Sequence, residues 1–399
     1  MTAYTFVTSY TQGGESFSFL LYQVQGSILF LFRNDLQTFI QRNILKYLEK
    51  SLSSNKSVVI HGLPGVGKTT LLKIIMDLYR EKVEVVFFSL KTRQDREVLL
   101  LFLERISEVG FQSSRHFLVL LDDIHNFADV SSIYTLLNKK ENLTFIAATR
   151  APLSENILNV ESLTLHPFSF RELLNGNKIL NKQSMYSAEA LFTQYMTFGG
   201  MPEVVSQNPE EKDMCLKEIE GKIIRTLAET AGISPLQIKS IIILLLRWVG
   251  KPLDIGLASL SLDMTKEEFE AILYFLEASG LFFLVRRHQG LESDQVKLYF
   301  FDTGLLKMFA HPDEGALFEN AVFLQLRQYG HLEYAMHTNW KEIDFILNKT
   351  QAFEVKNKFR EDDYIEYEKL AMEIGFEDFQ LIVKEFHGEK KGVLYAEFL

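Results

Sequence analysis

The hydrophobic pattern changes period repeatedly along the first half of the chain. Residues 57–61 (SVVIH), 83–90 (VEVVFFSL), 116–123 (HFLVLLDD) and 143–150 (LTFIAATR) are short, nearly continuous apolar runs. Between them the apolar positions recur at helical spacing. This holds for Lys68–Tyr79 (Leu71, Leu72, Ile75, Met76 and Leu78), for Asp95–Val109 and for residues 130–138. Apolar strands separated by helices predict a parallel sheet covered on both faces. From 168 to 232 the pattern is mostly helical, broken at FGGMPEVV (198–205). Residues 235–302 read as helix, short helix, helix (Lys266–Ser279) and two strands, LFFLVRR (281–287) and VKLYFF (296–301), with HQGLESD as the turn. That is the order of a winged helix. Residues 315–399 read as helix, three short strands, helix and strand.

The first strand runs directly into GLPGVGKTT. Gly62-x-x-x-x-Gly67-Lys68-Thr69 is the phosphate-loop pattern, between a predicted strand and a predicted helix as the motif requires. Glycines let the backbone turn its N–H groups inward and leave room for phosphate oxygens. The helix N-terminus adds partial positive charge. Gly62, Leu63, Pro64, Gly65, Val66, Gly67, Lys68, Thr69 and Thr70 are therefore the candidate ATP-binding residues. Lys68 would reach the β- and γ-phosphates, and Thr69 would offer a hydroxyl to Mg²⁺. FLVLLDDIHN supplies the acids of a Walker B strand: Asp122 to hold Mg²⁺ through water, Asp123 to orient or deprotonate the attacking water. Many ATPases carry Glu at the second position. His125 reads as a surface or helix-capping residue. Strand C-termini of such a sheet face the nucleotide, so Thr149 or Arg150 is a candidate γ-phosphate sensor, with a merely solvated arginine as the alternative.

In this order LFRNDL (31–36), GLPGVGKTT, LLDD, ATR and GGMP resemble the STAND class of AAA-like P-loop ATPases. More closely, the chain from about residue 31 onward resembles prokaryotic ATPases that carry a C-terminal domain of restriction-endonuclease-like fold. The resemblance implies adenine contact by Leu31 and Phe32, although Phe32-Arg33 lacks the preceding Gly. It also implies that Gly200 and Pro202 approach the nucleotide from a helical lid. The expected fold class is α/β: a parallel-sheet P-loop NTPase core (31–165), a helical lid (166–232), a winged helix (233–310) and a C-terminal restriction-endonuclease-like α/β domain (311–399). Residues 1–30 form an extension that adds strands or contacts a partner.

The last segment carries EIDFILNKTQAFEVK. With Asn348-Lys349-Thr350 as the hairpin loop, Leu347 pairs with Gln351, Asp344 with Glu354 and Glu342 with Lys356. Alternation then puts Ile343, Phe345, Phe353 and Val355 on one face and the charged set on the other. Opposed carboxylates repel, and Mg²⁺ between Asp344 and Glu354 would relieve this. Asp…Glu-x-Lys is the signature of the PD-(D/E)xK nuclease fold, which Glu319 in GALFENAVF would complete. In that reading Glu319, Asp344 and Glu354 bind metal, and Lys356 orients or activates the attacking water. The other reading is a solvated polar hairpin face.

Charge qualifies these readings. The chain has a net charge of −10, and residues 311–399 hold 18 Asp+Glu against 10 Lys+Arg, or −8. Bulk electrostatics do not advertise nucleic-acid binding. The third helix of the winged-helix segment carries Glu267, Glu268, Glu270 and Glu277 against Lys266. Arg286, Arg287 and His288 are the basic cluster near it. Packing between domains and a wing-mediated contact to a nucleic-acid backbone both remain open. One cysteine, Cys215, excludes an internal disulfide and a cysteine metal cluster and suits a reducing cytoplasm. The apolar stretches 28–32 and 241–246 are too short to span a bilayer, so no membrane is expected. The expected partners are ATP or ADP, with DNA, a protein partner or self-association beyond them. Three functions compete: an ATPase switch coupled to a nuclease-like effector on DNA, an ATP-dependent interaction module without cleavage, and a chaperone-like or transport ATPase.

Overall fold

The structure, a computed structural model, describes residues 4–12, 15–23, 42–108, 116–126, 130–139, 143–150, 159–180, 187–289, 295–337, 341–385, 388 and 390–396. The adenine contact expected of Leu31 and Phe32 lies outside these residues. At the N-terminus β1 (Tyr4–Gln12) and β2 (Glu15–Gln23) pair antiparallel, from Tyr4 with Gln23 to Gln12 with Glu15.

The next elements are α1 (Ile44–Ser53), β3 (Ser57–His61), α2 (Lys68–Tyr79), β4 (Glu84–Ser89), α3 (Arg93–Glu108), β5 (Phe117–Asp122), α4 (Val130–Asn138), β6 (Leu143–Thr149) and β7 (Val160–Thr164). Their strands form one parallel sheet in the order β4-β5-β6-β3-β7. Alternation divides its side chains between two cores. Val58, Ile60, Leu118, Leu120, Ile146 and Ala148 pack with Leu71, Leu72 and Ile75 of α2. Val59, Val119, Leu121, Phe145 and Ala147 pack with Leu99 and Leu103 of α3 and with Tyr134 of α4. Both faces are covered, which is why the strands read as unbroken apolar runs. The edge strand β7, VESLT, is only partly buried, so its sequence gave no such run.

The helical stretch holds α5 (Phe170–Leu180), α6 (Ala188–Phe198), α7 (Pro202–Val205), α8 (Lys212–Ala231) and α9 (Pro235–Leu246). After it come β8 (Pro252–Leu253), α10 (Ile255–Leu260), α11 (Lys266–Ala278), β9 (Phe282–Arg287), β10 (Val296–Phe300) and α12 (Thr303–Ala310). Capping fixes two of these starts. Ser234 with Gln237, ahead of Pro235, and Thr265 with Glu268 each satisfy two orphan helix N–H groups reciprocally. The chain ends with α13 (Glu314–Leu326), β11 (Leu332–Met336), β12 (Glu342–Leu347), β13 (Gln351–Lys358), α14 (Glu361–Ile374), β14 (Asp378–Glu385) and β15 (Val393–Tyr395).

One eight-stranded sheet, in the order β15-β14-β13-β12-β11-β9-β10-β8, spans residues on both sides of position 310. The junction is the parallel pairing of Glu333 and Tyr334 in β11 with Arg286 and Arg287 in β9. The segments 233–310 and 311–399 therefore share backbone hydrogen bonds, and one apolar cluster runs from Leu48 to Ala396. Among the described residues no single helix is long and apolar enough to cross a membrane. The pair α8 and α9 passes that test only when joined, across a bend of 110°.

Candidate functional site

At the end of β3 the chain turns through residues 62–67 into α2. Gly65 (φ +87°) and Gly67 (φ +95°) occupy the left-handed region. A Cβ on Gly62 would stand 2.5 Å from the Leu165 carbonyl oxygen, so only glycine fits there. No acid occupies the first turn of α2, leaving its N-terminal partial charge uncompensated. Lys68 Nζ donates to the carbonyls of Gly62 (2.6 Å) and Leu63 (3.0 Å). Burial pulls the Lys68 ammonium down to about 8; Asp122 opposes this and Arg150 reinforces it.

Beside it the Thr69 hydroxyl donates to Asp122 Oδ2 at 2.7 Å. Burial raises the Asp122 carboxyl above its ordinary value, with the Thr69 bond acting against the shift. These two hard oxygens from adjoining elements fit Mg²⁺. Asp123 takes the left-handed conformation (φ +58°), which Asp tolerates better than most residues, and its N–H donates to Asp122 Oδ1 at 3.2 Å. Arg150 is exposed just past buried Thr149, whose register partner is His61 at the mouth of the loop. His61 is held neutral, its value lowered to about 4 by burial and then by Lys68.

His125 is not a surface or capping residue. Both ring nitrogens are buried and have no hydrogen-bond partner among the described residues, in the 3-10 turn Ile124–Asn126 that follows Asp123. Burial, and then Arg150, lowers its pKa to about 4. The signal for this in LLDDIHN is position alone: His125 lies three residues past Asp122, the end of β5.

The GGMP loop stands against the phosphate loop. A Cβ on Gly67 would lie 3.5 Å from Pro202 Cγ, and one on Gly65 would lie 2.9 Å from Met201 Cε. Gly200 accepts from Phe168 N–H (2.8 Å) and donates its own N–H to Asp302 Oδ2 (2.8 Å). Asp302 follows β10, and its Oδ1 accepts from Leu305 N–H at the start of α12 (2.9 Å). Burial raises this carboxyl to about 6 against the backbone N–H groups that surround it. Asp302 escaped the sequence reading because FFDTG resembles an ordinary turn.

The C-terminal charged residues do converge, in a different arrangement from the one expected. The hairpin register holds at Leu347 with Gln351 and at Phe345 with Phe353. Asn348 (φ +50°) and Lys349 (φ +62°) make the turn. Beyond Phe345 side chains take over the ladder: Asp344 N–H donates to Glu354 Oε2 (3.2 Å) and Val355 N–H to Asp344 Oδ2 (3.0 Å). Asp344 and Glu354 are buried, which excludes the solvated-face reading for them. Ile343 departs from its expected face. It packs with Ile346 and Ala352, whereas Phe345, Phe353 and Val355 line the other core. The break accompanies a register shift opposite β12, between Glu333 and Ala335 of β11.

The expected Glu342–Lys356 pair does not form. Lys356 Nζ bonds Glu354 Oε1 at 2.5 Å and lies 4.5 Å from the Tyr367 ring centre. Glu342 turns instead to Lys297, a fully buried lysine of β10. Lys297 Nζ is 3.1 Å from Glu342 Oε1, 3.2 Å from Asp344 Oδ1 and 3.4 Å from Glu319 Oε1. Tyr299 also donates to Glu319 Oε1, at 2.6 Å. Gly250 makes room for Glu319, since a Cβ there would stand 2.9 Å from Oε2. Burial works against the Lys297 ammonium, but Glu319, Tyr299, Asp344 and Glu342 outweigh it and hold its pKa well above the ordinary value. Burial pushes Glu319 up to about 7 despite Lys297, and pushes Glu354 well up with Asp344 adding to the effect. Of the residues expected to bind Mg²⁺ here, Glu319 and Asp344 contact the Lys297 ammonium, and Glu354 contacts Lys356. Among the described residues no group of three or more His, Cys, Asp or Glu is arranged to hold one.

The basic cluster at the end of β9 is largely engaged within the chain. Arg287 donates to the Met336 carbonyl (3.1 Å), and His288 Nδ1 lies 2.5 Å from Glu333 Oε2. Arg286 is the exposed member.

Comparison with known proteins bears on part of the chain. Residues 54–174 match the family model described as AAA domain, and residues 189–314 match a domain of unknown function (DUF8612). No curated protein matches. The fold is similar to that of the Signal Transduction ATPase with Numerous Domains (STAND) protein with a tetratricopeptide repeat sensor from Pyrococcus horikoshii. That likeness has 16% identity, a TM-score of 0.33, and covers 74% of this chain; this chain spans 45% of that one. Others are the Aeropyrum pernix ORC1 protein in complex with DNA (14% identity, TM-score 0.32, covering 74% of this chain and 97% of that one) and the Thermotoga maritima RuvB Holliday junction branch migration motor (16%, 0.27, 64% and 91%). The family match and the loop geometry together make residues 54–174 an AAA-type P-loop domain.

Proposed function

We propose that this chain is an ATP-binding and ATP-hydrolysing switch of the STAND kind whose C-terminal module engages a partner without cutting it. The observation that carries the first half is the phosphate loop. The N-terminus of α2, Lys68 bonded to two backbone carbonyls, and the Thr69–Asp122 pair stand together at the end of a parallel sheet. Lys68 would exchange its carbonyl partners for the β- and γ-phosphates. Thr69 and Asp122 would hold Mg²⁺, which neutralises charge on the phosphate oxygens when bound. Asp123 would orient the attacking water or take its proton, and Arg150 would face the charge that develops on the transferred group.

The lid carries the second half. Met201 and Pro202 abut the phosphate loop, while Gly200, next to them in sequence, is tied to Asp302. A nucleotide that moves the GGMP loop therefore pulls on the end of β10 and on α12. We read 233–310 as a winged helix that transmits this movement and 311–399 as a restriction-endonuclease-like module that receives it. Engagement of Arg287 and His288 inside the chain favours a protein or a second copy over a nucleic-acid backbone at the wing. A second reading, an Mg²⁺-dependent nuclease acting on DNA, draws on the convergence of Glu319, Asp344, Glu354 and Lys356.

The test is ATP turnover by the purified chain. Asp123→Asn should retain ATP binding and lose hydrolysis, and Lys68→Ala should weaken binding. Unchanged turnover in both variants would refute the switch.

A further inference from the structure

The cluster around Lys297 carries an inference about what the C-terminal module is. It contains four carboxylates, from Glu319, Glu342, Asp344 and Glu354, and two ammonium groups, from Lys297 and Lys356. An ammonium has three N–H donors. Lys297 has three carboxylate partners at 3.1–3.4 Å, one on α13 and two on β12. Three further oxygens of Asp344 and Glu354 are engaged as well. Asp344 Oδ2 takes the Val355 N–H, Glu354 Oε2 the Asp344 N–H, and Glu354 Oε1 the Lys356 ammonium. Lys297 itself is fully buried in a strand buried at every position, while Glu342 and Lys356 at the edge of the cluster are partly exposed.

We infer that Lys297 is the resident cation of this carboxylate cluster, standing where a divalent metal would stand, so that the module cannot run metal-dependent cleavage. This rests on the restriction-endonuclease-like reading only for the expectation of a metal; the geometry of the cluster is independent of it. Two cations cannot share the space between Glu319, Asp344 and Glu342. A divalent ion would need carboxylate oxygens at about 2.1–2.5 Å and would have to displace a fully buried ammonium from its three carboxylate partners. The lysine also has a positive role. It arrives on β10, while its partners belong to α13 and β12. It therefore fastens the two halves of the eight-stranded sheet across the two-residue β9–β11 junction. The cluster is a latent metal site held shut by an internal charge, and the charge is delivered by the strand that Asp302 connects to the lid.

The test is Mn²⁺ binding to the nucleotide-free full chain, followed by electron paramagnetic resonance, in wild type, Lys297→Ala, Asp344→Asn and the double variant. The expected result is a gain of one bound Mn²⁺ per chain in Lys297→Ala that disappears in the double variant, and no difference between wild type and Asp344→Asn. A Mn²⁺ ion bound by wild type and lost in Asp344→Asn would overturn the inference. So would the absence of any gain in Lys297→Ala. Where the alanine variant does not fold in metal-free buffer, recovery of its unfolding transition on adding Mn²⁺ reads the same gain, and Lys297→Gln provides a folded comparison. Binding of a fluorescent ATP analogue, measured on the same proteins, reports separately on the nucleotide reading.

Discussion

The two charged centres of this molecule use the same ingredients and differ in what satisfies them. At the phosphate loop a lysine, a threonine hydroxyl and two aspartates face an end of the sheet where Lys68 is held by two backbone carbonyls. In the C-terminal cluster two lysines and four carboxylates pair with one another around the fully buried Lys297. In the first centre the lysine rests on carbonyls that a ligand can replace. The second already contains its own cations. Residue types alone do not separate a ligand site from a closed ionic network; the identity of each group's partner does.

The largest expected effect comes from opening the closed network. Lys297→Ala leaves three carboxylates facing each other without their cation, which should cost about 3–5 kcal/mol in urea unfolding. The ATP-binding affinity of the surviving folded chain should hardly change. A shift of less than about 1 kcal/mol would mean that the network is not closed. The reverse pattern is expected at the other centre. Lys68→Ala should weaken ATP binding by roughly 10- to 100-fold, the loss of a charge-assisted contact, while leaving the unfolding midpoint nearly unchanged. Gly67→Ala forces a side chain into the left-handed region at φ +95° and should destabilise the chain by about 1–2 kcal/mol, with a parallel loss of nucleotide affinity.

Two pH dependences refine the contrast. Lys68 titrates at about 8, and a bound polyphosphate favours its charged form. ATP affinity should therefore fall as pH rises above about 8, and calorimetry in buffers of different ionisation enthalpy should detect proton uptake on binding. Glu319 is raised to about 7 from an ordinary 4.5. The folded chain thus binds more protons at this group than the unfolded chain between those values. Its contribution to stability is fully present below about 4.5 and is lost as pH rises through about 7. Glu319→Gln should flatten that part of the stability profile; an unchanged slope would remove Glu319 from the network.

The nucleotide end was legible because its information is local. GLPGVGKTT lies between a strand and a helix, LLDD ends a buried strand, and both patterns act through backbone turns within a few residues. The parallel sheet was equally legible, since a strand covered on both faces must be apolar throughout. The hairpin register of Leu347 and Gln351 followed from the turn at Asn348 and Lys349. What escaped depends on contacts distant in sequence. Lys297 reads as one polar residue in VKLYFF, and its partners Glu319, Glu342 and Asp344 lie on other elements. A signal was present: a lysine within a run otherwise apolar on both faces has to be buried, and a buried lysine has to be paired. The exchange of Ile343 between faces and the β9–β11 junction left no such trace, because a register shift and a parallel pairing are decided by the partner strand. Asp302 was hidden for the same reason, its role resting on a loop 102 positions earlier.

The central claim is that one centre accepts a cation with its nucleotide and the other already contains its own. The most direct measurement is anomalous density from Mn²⁺ in crystals soaked with Mn²⁺ and a non-hydrolysable ATP analogue. The account predicts a Mn²⁺ peak beside Thr69 and Asp122, and the Lys297 ammonium still between Glu319, Glu342 and Asp344. A Mn²⁺ peak between Asp344 and Glu354, with Lys297 displaced, would contradict it.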